Sequence, residues 1–137
     1  MIGVIAGEKG TGKTKKILDH ANNAIKDAKG SIVFIDDDNS YMYDLSRDIR
    51  FINASEYGIC GSKMLYGMLC GIAAQDFDLE CIYVDGFLSY VNHSLEELKP
   101  FFDAAEKFSE KHHIELIFSI SSAKEELPEY LKKMVLV

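Results

Sequence analysis

The chain opens with the stretch IGVIAGEKGTGKT, residues 2–14. Its first part, residues 2–6, is a short apolar run next to glycine, which is typical of a buried parallel strand. Its second part, residues 7–14, matches the pattern G-x-x-x-x-G-K-[ST] at every position. Apolar residues then recur with helical spacing until Gly30. The stretch therefore predicts a strand, a glycine-rich loop and a helix, in that order.

The glycine-rich loop has the chemistry of a phosphate-binding site. Its glycines allow positive φ, so that backbone N–H groups turn toward phosphate oxygens, and the following helix directs its positive dipole end to the same place. Lys13 supplies a charge for the β- and γ-phosphates, and the Thr14 hydroxyl can ligate Mg²⁺. We expect ATP with Mg²⁺ as the ligand. The predicted binding residues are Gly7, Glu8, Lys9, Gly10, Thr11, Gly12, Lys13, Thr14 and Lys15.

Strand-like and helix-like segments alternate along the rest of the chain. Apolar runs predict strands at 31–36, 50–53, 81–84, 115–121 and 134–137. Helical spacing predicts helices that follow Ser62 and Ser94, and Pro100 requires the second of these to be kinked or to begin near Lys99. The alternation favours a single α/β domain over residues 1–137, a three-layer α/β/α sandwich with a mostly parallel sheet.

Composition limits the classes of protein that fit. The chain has 137 residues, of which 47% are hydrophobic and 27% charged, as in an ordinary packed domain. Its net charge of −7 disfavours a nucleic-acid partner, because an acidic surface repels a phosphate backbone. No apolar run is long enough to span a bilayer, and no basic stretch precedes the first apolar residues, so we expect a cytoplasmic protein. The three cysteines, Cys60, Cys70 and Cys81, form no C-x-x-C pair and are expected to be buried thiols.

Asp85 is the expected second ligand of the metal. The apolar strand 81–84 delivers this carboxylate to the carboxyl edge of the sheet, where open α/β folds bind ligands. There it can hold Mg²⁺ directly or through water, together with Thr14. An aspartate at the end of a strand is a weak motif alone, and its meaning here comes from the loop that precedes it.

Three adjacent carboxylates, Asp36, Asp37 and Asp38, follow the second predicted strand. A solvated turn is the ordinary interpretation of such a run. This strand end also belongs to the ligand side of the sheet, where a carboxylate can orient or deprotonate the attacking water. Gly86 occupies the other usual place for that acid, directly after Asp85, and has no side chain to supply it. Which of the three carboxylates faces the nucleotide stays open.

The order of these features resembles the core of RecA-type ATPases. The resemblance is carried by the loop, the strand that ends in Asp36–Asp38, the short strand 50–53, the strand before Asp85 and a strand that ends in serines. It implies slow ATP hydrolysis, with Lys13 and Asp38 as catalytic residues and a polar sensor at Ser121 or Ser122. Asp38 matches the place of the family's catalytic Glu and is one methylene shorter.

The resemblance also implies the order of the strands in the sheet. That order is 50–53, 31–36, the strand before Asp85, 115–121, 2–6 and 134–137. The chain is similar as well to short stand-alone P-loop proteins that sometimes carry a twitching-motility ATPase label.

Two further functions stay open on the sequence. One is a small-molecule kinase that uses the cluster Asp36–Asp38 at its acceptor site, and the other is a nucleotide switch that binds ATP and hardly hydrolyses it. The chain has two arginines, Arg47 and Arg50, which is few for a kinase that neutralises the moving phosphoryl group with arginine. A homo-oligomer or another protein partner is also compatible with the sequence, since RecA-type domains commonly complete their sites across an interface.

Overall fold

The computed structural model describes residues 1–136, and its centre is a five-stranded parallel sheet with helices on both faces. The strands are β1 (Ile2–Gly7), β2 (Ser31–Asp36), β3 (Arg50–Asn53), β4 (Leu79–Val84) and β5 (Glu115–Ser121). The helices are α1 (Lys13–Asp27), α2 (Ser62–Ala74), α3 (Phe87–Tyr90), α4 (Lys99–His112) and α5 (Glu129–Lys132). Short 3₁₀ turns occupy Met42–Asp44, Ala54–Tyr57 and Lys124–Glu126. The predicted α/β class is confirmed.

The strands lie in the order β1-β5-β4-β2-β3, and every neighbouring pair is parallel. This confirms the predicted order of the five strands, in which β5 separates β1 from β4. The predicted sixth strand, 134–137, reaches Val137, which lies outside the described residues. In its described part it makes one parallel bridge between Val135 and Val4, on the outer edge of β1.

Successive side chains of a strand point to opposite faces of the sheet, so the core consists of two clusters, one on each face. On one face, α1 packs its buried residues Ile17 and Ala21 against strand residues such as Phe34 and Ile117. On the other face, α2, α3 and α4 cover residues such as Val84. Because both faces are covered, central strands read as continuous apolar runs rather than as alternating ones. The arrangement fits the predicted three-layer sandwich.

The region before α4 contains both features that the sequence analysis used to place this helix, Ser94 and Pro100. Ser94 and Glu97 form reciprocal bonds, since the Glu97 N–H donates to Ser94 Oγ at 3.3 Å and the Ser94 N–H donates to Glu97 Oε1 at 3.2 Å. These bonds close a turn, and the helix itself begins at Lys99 with Pro100 in its first turn. Pro100 is tolerated there because the first N–H groups of a helix have no partner inside it.

Composition led to two expectations, that the cysteines are buried and that no segment spans a membrane. Cys81 is buried and Cys70 half-buried, but Cys60 is exposed in the loop before α2, so the expectation of a buried thiol is wrong for Cys60. Within residues 1–136, every helix falls short of the length and apolar character that crossing a membrane requires.

Candidate functional site

The loop between β1 and α1 forms an open cradle at the carboxyl edge of the sheet. Gly10 and Gly12 have φ values of 85° and 86°, in the left-handed region that side chains rarely allow. Thr11 closes the loop by donating to the Glu8 carbonyl, from its N–H at 3.2 Å and from its hydroxyl at 2.6 Å. A Cβ at Gly7 would lie 2.5 Å from Thr11 Oγ1. The glycine positions of the motif are therefore required by the shape of the loop.

The start of α1 concentrates backbone donors and positive charge at this cradle. Its N-cap is Gly12, no side chain of the described residues caps it, and its first turn contains no acidic residue. The first N–H groups of such a helix have no partner inside it and are free to bind an anion. Lys13 extends across the loop, with Nζ 3.4 Å from the Glu8 carbonyl oxygen, while Lys15 pairs with Asp19 at 2.8 Å.

A cavity of about 700 Å³ lies over this helix start, between α1 and the carboxyl ends of β2, β4 and β5. It brings together residues from all the segments that the sequence singled out. From the loop and α1 it is lined by Lys9, Gly10, Gly12, Lys13, Thr14, Lys15, Leu18, Asp19 and Asn22. From the opposite side it is lined by Asp36, Asp37, Asp38, Tyr41, Asp44, Asp85, Gly86, Ser119 and Ser121. The predicted residues Gly7, Glu8 and Thr11 are not part of the lining and instead shape the loop.

Asp85 follows the last residue of β4 and is held by a serine of the neighbouring strand. The Ser119 hydroxyl donates a hydrogen bond to Asp85 Oδ1, and Ser119 Oγ accepts one from the Gly86 N–H at 2.8 Å. Burial raises the pKa of Asp85, which is only 5% exposed. Hydrogen bonding from Ser119, the Gly86 amide and Thr14 acts in the other direction and favours the carboxylate. The site thus presents an oriented carboxylate close to the Thr14 hydroxyl.

Helix α3, which the sequence did not predict, supports the turn that carries Asp85. The Tyr90 hydroxyl donates to the Asp85 carbonyl oxygen at 2.9 Å. At the other end of α3, the buried Phe87 ring packs edge-on against Phe118 of β5, with ring centroids 5.2 Å apart. A four-residue helix gives no periodic signal in a sequence, so its role becomes visible only in the fold.

Asp36 is the most buried carboxylate of the cavity, with 2% of its surface exposed. Its Oδ1 accepts a hydrogen bond from the Asp37 N–H at 2.8 Å, whereas Oδ2 has no partner among the described residues. Burial, followed by the nearby Asp85, raises the pKa of Asp36 to about 8. A buried polar atom without a partner is unfavourable, and in a cavity it indicates a position that a ligand, a cation or water would satisfy.

Asp38 and Ser121, both predicted from the resemblance, lie at the exposed side of the same cavity. Asp38 Oδ1 accepts a hydrogen bond from the Ser40 N–H at 2.8 Å, and this bond lowers the pKa of Asp38. Ser121 is the last residue of β5 and lies opposite Gly7 in the β1–β5 pairing. Asp38 is thus an ionised carboxylate held in a local turn, in contrast to the buried Asp36.

Three other predicted polar residues lie outside the cavity. Ser122, the other predicted sensor, donates its hydroxyl to the Ala123 carbonyl at 3.1 Å. Arg47 and Arg50 are both exposed, and neither is among the lining residues. Ser119, by contrast, is a site residue that the sequence analysis missed. A serine inside the apolar run of β5 was the available signal.

The oxygen atoms around the cavity are the ligand type that Mg²⁺ prefers. Asp36, Asp37 and Asp38 each offer a carboxylate oxygen, and these atoms lie within 4.8 Å of one another. The Thr14 hydroxyl and Asp85 supply further oxygen donors in the same cavity. The donor set therefore fits a hard divalent cation.

No protein-family model and no curated protein matches this chain.

Proposed function

We propose that this protein binds a nucleoside triphosphate with Mg²⁺, ATP foremost, and hydrolyses it slowly as a RecA-type P-loop ATPase. One observation carries the proposal. The uncapped start of α1, with left-handed Gly10 and Gly12 before it, faces a cavity whose opposite side holds Asp36 and Asp85. Anion donors on one side and metal-binding carboxylates on the other are the two requirements of a magnesium–triphosphate complex.

Each residue of the loop then has a separate task. The N–H groups at the start of α1 bind phosphate oxygens, and Lys13 leaves the Glu8 carbonyl to contact the β- and γ-phosphates. Thr14 and Asp85 hold the cation, with Ser119 fixing the direction of the Asp85 carboxylate. A Mg²⁺ ion held by Thr14 and Asp85 would neutralise phosphate charge.

Two carboxylates are candidates for the residue that acts on the attacking water. Asp38 matches the place of the catalytic acid in RecA-type ATPases, and its exposed carboxylate is ionised and reaches the cavity. Asp36 has an oxygen without a hydrogen-bond partner among the described residues and a pKa of about 8, close to the value that makes a general base effective at neutral pH. Substitutions that separate binding from turnover distinguish them, as described below.

The strand order supports the RecA-type assignment. In RecA-type ATPases, one strand lies between the strand of the phosphate loop and the strand of the metal-binding Asp. In this chain β5 occupies that place. Direct pairing of β1 with β4 would favour the branch of P-loop proteins that contains kinases and GTPases.

A small-molecule kinase is the second candidate function, and one observation favours it. The cavity extends past the loop to Asp19, Tyr41 and Asp44, which leaves room for an acceptor molecule beside the carboxylates. Against it, both Arg47 and Arg50 lie outside the cavity, so arginine would not neutralise the transferred phosphoryl group.

Calorimetric titration with a nucleotide series tests the proposal. ATP with Mg²⁺ is expected to bind more tightly than ADP with Mg²⁺, and adenosine is expected to bind weakly, because the loop recognises phosphate. Equal affinity for ATP and adenosine would contradict the proposed site. Phosphate release, measured with and without candidate acceptors, then separates an ATPase from a kinase and from a switch that does not hydrolyse.

A further inference from the structure

Phe77 is presented to solvent on a fixed turn. Its side chain is fully exposed in the connection between α2 and β4. The turn is closed by Asp76, whose Oδ1 accepts a hydrogen bond from the Asp78 N–H at 2.9 Å and whose carbonyl accepts one from the Leu79 N–H at 3.3 Å. The ring is therefore flanked on both sides by aspartate. One exposed aromatic residue is ordinary on a protein surface, so its meaning depends on what it fits.

An apolar groove of about 420 Å³ lies between the edge strand β3 and the first half of α2. Its lining residues are Ile52, Tyr57, Ile59, Met64, Met68 and Arg50. All but Arg50 are apolar or aromatic. β3 is the last strand of the sheet on this side and pairs only with β2 within residues 1–136. The groove is thus an open apolar surface with a single positive charge.

We propose that the Phe77 turn of one chain docks in this groove of a second copy of the chain. The ring is apolar and the groove offers it two methionines, whose flexible side chains adapt to aromatic partners and contact them favourably. The charges also match, because Asp76 and Asp78 flank the ring and Arg50 lies at the groove. Among the described residues none of these three side chains forms an ion pair, so all are available across an interface.

One chain does not fill its own groove, because its Phe77 ring is fully exposed. The groove includes Met64, in the first turn of α2, whereas the Phe77 turn follows the last residue of that helix, Ala74. A helix rises about 1.5 Å per residue, which separates Met64 from Ala74 by about 15 Å. Docking is therefore intermolecular and head to tail. A contact of this type leaves one free turn and one free groove at the ends, and it continues into a ring or an open filament.

Two complementary variants give the sharpest test, since each lacks one side of the contact. Phe77→Ser removes the anchor at an exposed position, and Met64→Glu places a charge in the groove at a half-exposed one. In sedimentation velocity, the wild-type sedimentation coefficient is expected to rise with concentration, while each variant alone stays monomeric. An equimolar mixture is expected to form a dimer and nothing larger, because only one contact of the mixed pair is intact.

Matched controls and a charge exchange complete the experiment. Tyr43→Ser removes another exposed aromatic ring, 90% exposed and outside the groove, and is expected to leave association unchanged. Arg50→Glu is expected to weaken association on the order of 30-fold, the loss typical of an interface anchor. Combining Arg50→Glu with Asp78→Lys in one chain is expected to restore it, and the turn-closing Asp76 is left in place.

The proposal does not depend on nucleotide binding, so the two fail separately. Phe77→Ser is expected to bind Mg-ATP like the wild type. A wild type that stays monomeric at every concentration, oligomers that survive Phe77→Ser, or a mixture that does not dimerise would each overturn the proposal.

Discussion

The hydroxyl of Ser119 donates a hydrogen bond to the carboxylate of Asp85, and the same oxygen accepts one from the Gly86 amide. Ser119 belongs to β5, the strand that lies between the loop strand β1 and the aspartate strand β4. The position of β5 in the sheet is therefore what supplies the partner that orients Asp85.

Removal of this partner is expected to weaken the metal site. In Ser119→Ala, Asp85 loses a donor that favours its charged form, so its pKa rises further and its affinity for Mg²⁺ falls. Loss of one hydrogen bond to a buried charged group corresponds to about 1.5–3 kcal/mol. Mg²⁺ titration in the presence of ATP measures the effect. Ser122→Ala is the control, because the Ser122 hydroxyl bonds to the Ala123 carbonyl outside the cavity. This variant should titrate like the wild type.

Lys13→Ala is expected to weaken ATP binding by about 1.5–3 kcal/mol, or roughly 10- to 150-fold, because it removes a charged donor to phosphate. Lys16→Ala is the matched control, since Lys16 is exposed near the start of the same helix but is not part of the cavity lining. Calorimetry with ATP and with adenosine measures both variants. If the two lysine variants bound ATP equally well, the phosphate loop would not be the binding site.

The carboxylates of the cavity are expected to separate into metal and water roles. Asp85→Asn should reduce Mg²⁺-dependent binding and turnover together, because an amide is a poorer ligand for a hard cation. Substitution of the residue that acts as general base by Asn should leave the binding of Mg-ATP nearly intact. It should lower the rate of phosphate release by about 10²–10⁴-fold. Comparison of Asp36→Asn with Asp38→Asn identifies which residue this is. Normal turnover in Asp36→Asn, Asp37→Asn and Asp38→Asn alike would remove the base from this cluster and favour the nucleotide switch.

The stability of the metal-free protein is expected to depend on pH through Asp36. Burial raises the pKa of this carboxyl from 3.8 to about 8, so between these values the folded state binds a proton that the unfolded state does not. The contribution of Asp36 to the free energy of unfolding is therefore complete below about pH 4 and is lost as the pH rises through 8.

Thermal unfolding with a chelator present, followed from pH 4 to pH 8, measures this dependence. Asp36→Asn should decrease the fall in melting temperature over this range, because an amide does not ionise. The exposed Asp27→Asn is the control and should retain the fall. If the melting temperature rose from pH 4 to pH 8 by the same amount in the wild type and in both variants, the burial of an ionisable Asp36 would be contradicted.

Local patterns were enough to predict the strands and the loop. The bounds predicted for the strands 31–36, 50–53 and 115–121 are those observed. For the buried strands 31–36 and 115–121 the reason is that a buried strand needs a continuous apolar run and a turn at its end. The loop is local in the same sense, since positive φ at Gly10 and Gly12 is a property of those residues. The amino-acid sequence by itself therefore determined the strands, the fold class and the position of the cradle.

Only the tertiary structure decided which polar side chains meet. Ser119 rather than Ser121 contacts Asp85. Asp36 rather than Asp38 is buried with an oxygen that has no partner within residues 1–136, although each pair lies two residues apart on one strand end. The physical reason is that burial and hydrogen bonding of a side chain depend on the neighbouring strands and on α3, which come from distant parts of the chain. A sequence pattern places a carboxylate at the edge of a sheet, and the packing around that edge determines its charge, its direction and its partner.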